Sequence, residues 1–119
     1  MNQYEVPACI EDELPEIKDE LKTVSPVVNV FKTLQCLTGY TRKMIAAHDF
    51  KTAKKCFSLA GKIYETGNSV VRNAVENVFV YAFPSMFCRC EETERNRLYA
   101  LMPMSLYTVY IAQVIKSGI

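Results

Sequence analysis

Cys88-Arg89-Cys90 is the stretch of this 119-residue chain whose residue types come nearest to chemistry. A guanidinium between two thiols can lower a thiol pKa. The acids that follow, Glu91, Glu92 and Glu94, mark a helix N-terminus, which also favours thiolate. One spacer residue, however, is fewer than a redox CXXC motif has, and no partner pair lies at zinc spacing. Cys88 and Cys90 are therefore candidates for redox sensing, not for a metal site. His48 is the only histidine, and it stands just before Asp49, a helix-capping type, so it reads as a surface turn residue. With no second imidazole, a nucleophilic triad would rest on one contact that spacing does not supply. The carboxylates at 91–94 run straight into Arg95 and Arg97, the order of a salt-bridged helix start. Four isolated glycines cannot build a phosphate loop. No catalytic residue, metal or cofactor is expected, and the chain reads as a non-enzyme.

A binding surface is the better candidate. Asn73, Asn77 and Tyr81 recur every four residues, a polar stripe on one helix face. Asparagine amides can pair both donor and acceptor of an extended peptide, and a tyrosine adds apolar area with a polar tip. Lys51, Lys54, Lys55 and Lys62, with Arg42 and Lys43, can add charge from the preceding segments. The competing structural reading makes the asparagines joint-bonding residues and the lysines solubilising ones. The expected partner is a protein or peptide, for an adaptor or an immunity-type protein that binds and blocks. A thiol-based redox regulator using Cys88 and Cys90 is the alternative. Nucleic acid ranks third, because the lysines lack interleaved exposed aromatics and the net charge is only +1.

The elements that must position these residues are helical throughout. Half the residues are hydrophobic and 23% are charged, the balance of a globular chain. Residues 1–20 hold seven acids against Lys18 alone, which leaves six acids and thirteen bases for the rest. Residues 1–12 read as an acidic, flexible tail, and the acidic segment either lies along a basic body or shields it until a partner displaces it. Five cysteines, an odd number, and an acidic N-terminus with no apolar leader point to reduced thiols in the cytoplasm. The run from Leu98 to Ile115 carries no charge, but Pro103 interrupts it, so a buried helix is expected in place of a membrane span.

Leu14, Ile17 and Leu21 mark a short acidic helix, and Ser25-Pro26 is a start signal for a long one. The long helix turns Val27, Val30, Phe31, Leu34, Leu37, Thr41, Met44 and Ile45 inward. Asp49 caps the next, with Phe50, Ala53, Phe57, Ala60, Ile63 and Tyr64 as its stripe. Gly67, suited to a left-handed C′ position, ends it, and Asn68 starts a helix that buries Val70, Val71, Ala74, Val75, Val78, Phe79 and Ala82 and stops at Pro84. A helix from Glu91 and another opened by Pro103 complete the chain.

Residues 37–64 resemble one tetratricopeptide-like helical hairpin, with Phe50, Ala53, Phe57 and Ala60 matching its second helix. A true array repeats at about 34 residues. Shifting those positions forward by that period lands on Pro84, Phe87, Glu91 and Glu94, so no solenoid forms. Gly67-Asn68, Asn73, the run Glu76 to Phe79, and Pro103 with Leu106 and Tyr110 resemble a family of small uncharacterised bacterial all-helical domains. That resemblance implies a fold and no activity. The expected architecture is all-α, a single-domain antiparallel bundle of five or six helices. The segment 103–117 is apolar around much of its circumference, which calls for either a central place in the monomer or a homodimer.

Overall fold

The computed structural model of the protein describes residues 1–22 and 29–116. Every regular element among them is helical. The α-helices are α1 (Val6–Glu13), α2 (Lys18–Lys22), α3 (Val30–Ala46), α4 (Phe50–Thr66), α5 (Ser69–Ala74), α6 (Phe83–Phe87), α7 (Glu92–Leu101) and α8 (Met104–Lys116). A short 3₁₀ turn, Pro15–Ile17, leads into α2. A π-helical turn, Val75–Phe79, and a 3₁₀ turn, Val80–Ala82, join α5 to α6 in one broken rod. Counted as rods, these are seven, one more than the upper expectation. The extra one is α1, in the region read as a flexible tail. Its Val6 and Ile10 are fully buried, and with Leu14, Ile17 and Leu21 they form an apolar edge that seats the acidic segment on the core.

The hairpin of α3 and α4 follows the sequence closely. Asp49 Oδ1 accepts from the Thr52 amide at 3.1 Å, the cap expected for α4. The cap seen at the start of α3 is Asn29, whose Oδ1 accepts from the Phe31 amide at 3.0 Å; Ser25-Pro26 and Val27 lie outside the described residues. Phe31, expected inward, is exposed, one step off the stripe of Val30, Leu34, Leu37 and Thr41. Thr38 and Thr41 are buried with their hydroxyls donating to the carbonyls of Leu34 and Leu37, both at 2.7 Å, so neither is an unpaired polar group. In α4, Ala53, Phe57, Ala60 and Ile63 are all fully buried, and Phe50 and Tyr64 are half-buried.

Two joints differ from expectation in an instructive way. Gly67 is extended, with φ −74° and ψ 151°, not left-handed. Glycine is needed there for space, since a Cβ would meet Val71 Cγ1 at 2.6 Å and the Ile63 carbonyl oxygen at 2.7 Å. The left-handed residue is His48, with φ 58°, between α3 and α4.

The broken rod is packed from more than one side. Its π turn packs on α3 and α4, and its 3₁₀ turn packs on α8. In an unbroken helix at 100° per residue, Val80 would sit about 180° from Val71. Both are fully buried, because partners lie on both sides of the rod. Val70, expected inward, is 43% exposed. Pro84 does not stop the rod; it occupies the first turn of α6, where its missing N–H costs nothing. Phe57 of α4 meets Phe79, Phe83 and Phe87 edge-on, with ring centroids 6.1, 5.9 and 6.2 Å apart. Edge-to-face pairs of this kind each add roughly 0.5–1.5 kcal/mol beyond area burial.

The last helix is peripheral. Leu106 and Val109 of α8 are buried against the bundle, whereas Met104, Tyr107 and Ile115 are 76%, 39% and 72% exposed. No helix among the described residues is long and apolar enough to cross a membrane.

Candidate binding grooves

Helix α3 carries Arg42 and Lys43 one and two residues past the buried Thr41, which places both on its outer flank. The left-handed joint turns His48 back beside them, and the turn after α6 brings Cys88, Arg89 and Cys90 to the opposite wall. These residues and Glu94 of α7 line a cavity of about 730 Å³. His48 Nδ1 lies 2.8 Å from Glu94 Oε2, which ties the α3–α4 joint to the first turn of α7. Arg42 Nη2 donates to Ser85 Oγ at 3.0 Å, and that hydroxyl donates to the Ala82 carbonyl at 2.8 Å. Lys43 Nζ stands 3.9 Å from Glu20 Oε1, both ends largely exposed, a contact worth little to stability. With Arg42, Lys43 and Arg89 against Glu94 alone, the cavity is basic.

The Cys90 thiol behaves differently from the expectation drawn from Arg89. Burial, and then the Glu94 carboxylate, push the Cys90 thiol up, outweighing the opposite pull of Arg95. A raised thiol pKa withholds thiolate, so the site disfavours a nucleophilic Cys90. Cys88 is exposed and its Sγ lies 3.3 Å from the Ser85 carbonyl oxygen. Cys9, Cys36 and Cys56 are likewise pushed up by burial. Among the described residues, no group of three or more His, Cys, Asp or Glu is arranged to hold a metal ion.

A second cavity, about 610 Å³, adjoins the first. Tyr81, Pro84, Tyr110 and Val114 give it an apolar lining, while Arg42 and Ser85 line both cavities. The two therefore form one trough, basic at one end and aromatic at the other. Tyr81 is 74% exposed at its rim. Tyr110 lies 5.7 Å from Phe83 and 5.9 Å from Tyr99, centroid to centroid, so the groove wall continues the core's aromatic network. Gln113 Nε2 donates to the Glu76 carbonyl at 2.9 Å, which anchors α8 to the π turn.

The asparagine stripe divides. Asn73 and Asn77 line a third cavity of about 420 Å³, with Thr108 and Lys116, which shares Gln113 with the second. Asn77 Nδ2 donates to the Asn73 carbonyl at 2.8 Å and to Asn73 Oδ1 at 2.7 Å, so this amide already serves the helix itself. Tyr81 faces the trough instead. Lys55 and Lys62 line a small cavity beside α1, where Lys62 Nζ is 3.9 Å from Glu13 Oε1. Lys51 and Lys54 are exposed on α4 and line neither the trough nor the asparagine cavity. The structure thus brings Tyr81 together with Arg42, not with the lysines of α4. Sequence reasoning missed Pro84, Ser85, Tyr110 and Val114 as groove residues. The uncharged runs Asn77–Cys88 and Leu98–Ile115 were their only signal, and both read equally well as core.

No curated protein and no solved structure matches the chain. A model of the family described as a domain of unknown function (DUF7674) matches residues 7–116, nearly the whole chain, and the protein belongs to that family.

Proposed function

We propose that the protein is a non-enzymatic protein-interaction module, an adaptor or an immunity-type binder, whose docking surface is the trough centred on Tyr81. The observation that supports this reading is that an exposed tyrosine and Arg42 line one cavity beside the aromatic ring of Tyr110. Tyrosine and arginine are the types that dominate binding hot spots. Tyr81 is 74% exposed and lines the second cavity, where a partner could cover it. Five free thiols, one of them exposed, fit a reducing compartment, and we place the protein in the cytoplasm. The alternative of a thiol-based regulator through Cys88 and Cys90 is weakened by the raised Cys90 thiol. Nucleic-acid binding through Lys51, Lys54, Lys55 and Lys62 is weakened by the Glu13 carboxylate beside Lys62.

The test is panning of a random short-peptide display library on the full chain. Enriched peptides should bind the native protein and lose binding to Tyr81→Ala. Failure to enrich any peptide that depends on Tyr81 overturns the reading.

The exposed side chains of α8 support a homodimer through residues 103–117, on a face next to the trough. Met104, Tyr107 and Ile115 are its exposed apolar side chains. Sedimentation equilibrium at micromolar concentration should give the dimer mass, and Ile115→Glu should give the monomer mass. A native protein that sediments as a monomer rules the dimer out.

A further inference from the structure

We infer that the partner segment docked in the trough is an acidic peptide: an aromatic or aliphatic anchor in the Tyr81 end, followed by Asp or Glu side chains in the Arg42–Arg89 end. The inference rests on the trough being the docking surface. Three observations carry it.

The first is polarity along the trough. Arg42 and Ser85 line both cavities, so a chain lying in one end must pass the guanidinium to reach the other. An anchor held by Tyr81, Pro84 and Val114 therefore delivers its neighbouring residues to Arg42, Lys43 and Arg89. The second is the charge available. Arg89 has no ion-pair partner among the described residues, and Arg42 donates to a neutral hydroxyl, that of Ser85. Lys43 is held only loosely by Glu20, at 3.9 Å and with both side chains more than half exposed. A carboxylate can form a two-pronged hydrogen bond with a guanidinium, so Arg42 and Arg89 are matched to it in shape as well as charge.

The third is that this edge of the molecule already accepts carboxylates from its own acidic segment. Glu20 reaches Lys43, and Glu16 Oε1 accepts from the Tyr40 hydroxyl at 2.9 Å, both on α3. The acidic segment thus neutralises one rim of the basic cavity and leaves the Arg42–Arg89 side open. An incoming acidic peptide would compete with Glu20 for Lys43. Glu94, in the same cavity, sets the strength of charge that the site tolerates: single carboxylates fit beside it, and a dianion would face its repulsion.

The experiment uses the peptides enriched on the full chain, resynthesised with a fluorescent label and titrated by anisotropy. Arg42→Glu/Arg89→Glu should weaken binding by at least about tenfold, and added salt should weaken binding to the native protein. Lys18→Glu/Lys32→Glu makes the same change in net charge away from the trough and should leave the affinity within about twofold. Enriched peptides should carry Asp or Glu on one side of an apolar residue. Peptides without an acidic bias, bound equally by the Arg42→Glu/Arg89→Glu protein but lost on Tyr81→Ala, overturn the acidic partner and leave the trough standing. Equal weakening by both double reversals also overturns it, because the overall field and not this site is then the cause. Peptides indifferent to Tyr81 remove the trough and the inference together.

Discussion

The α3–α4 hairpin and the broken rod from Ser69 to Phe87 are built on opposite plans. Each hairpin helix runs 17 residues without interruption, starts on a side-chain cap and buries one stripe. The rod covers a similar length but passes from α to π to 3₁₀ to α. A helix that buries one side is served by a constant 3.6-residue period. The rod buries both Val71 and Val80, about 180° apart on a regular helix, and one period cannot bring both to a single face. Here the π turn meets α3 and α4, the 3₁₀ turn meets α8, and Phe79, Phe83 and Phe87 all reach Phe57. Interruption of the helix accompanies burial on both sides of the rod.

The largest test of this contrast is at the contact between the two regions. Phe57→Ala removes the ring that three phenylalanines of the rod surround and should cost roughly 3–5 kcal/mol in denaturant unfolding. A loss below about 1 kcal/mol would mean that the rod does not depend on the hairpin for its shape.

The next test compares two glycines. Gly67 stands where α4 gives way to the rod, with no room for a methyl group against Val71 and the Ile63 carbonyl. Gly67→Ala should destabilise the protein by about 1–3 kcal/mol. Gly39, inside α3, has nothing within 4 Å of an added Cβ, and Gly39→Ala should stabilise by up to about 1 kcal/mol through helix propensity alone. Melting temperatures that move in the same direction would erase the distinction between a tight joint and a regular helix.

A smaller effect probes the π turn. Asn77→Ala deletes the amide that bonds the Asn73 carbonyl and should cost about 0.5–1.5 kcal/mol, with the far-ultraviolet dichroism unchanged. An effect near zero would show that the turn is dictated by packing and not by this side chain. Smallest of all, Lys55→Ala on the outer flank of α4 should shift stability by less than about 0.5 kcal/mol. A larger loss would show that the lysine flank carries part of the fold.

The same contrast decides what could be read from the sequence. Ala53, Phe57, Ala60 and Ile63 announce the inner face of α4, and Asp49 and Asn68 announce the two helix starts where they occur. Those signals are local: a period, a capping side chain, a spacing. Val80 carries no such signal, since its burial follows from α8 packing on a 3₁₀ turn that periodicity does not foresee. Val6 and Ile10 were hidden by the acids around them, because two buried residues one turn apart are too short a pattern to outweigh composition. The candidate site was half legible for the same reason. Tyr81 and Arg42 could each be singled out, but their meeting depends on where the broken rod directs Tyr81, and that is set by contacts far apart in the chain.

His48 gives the molecule a built-in reporter. The chain holds one imidazole, so its ring protons give one isolated set of signals in a nuclear magnetic resonance spectrum, with no assignment to disentangle. That ring touches Glu94 on one side and lies 6.0 Å, centroid to centroid, from Phe50, while also lining the basic cavity. A change in the seating of α7, or the arrival of an anion beside Arg42, would therefore register on the same few lines. Binding can be followed on unlabelled protein, without a tag or a dye, by watching a single residue.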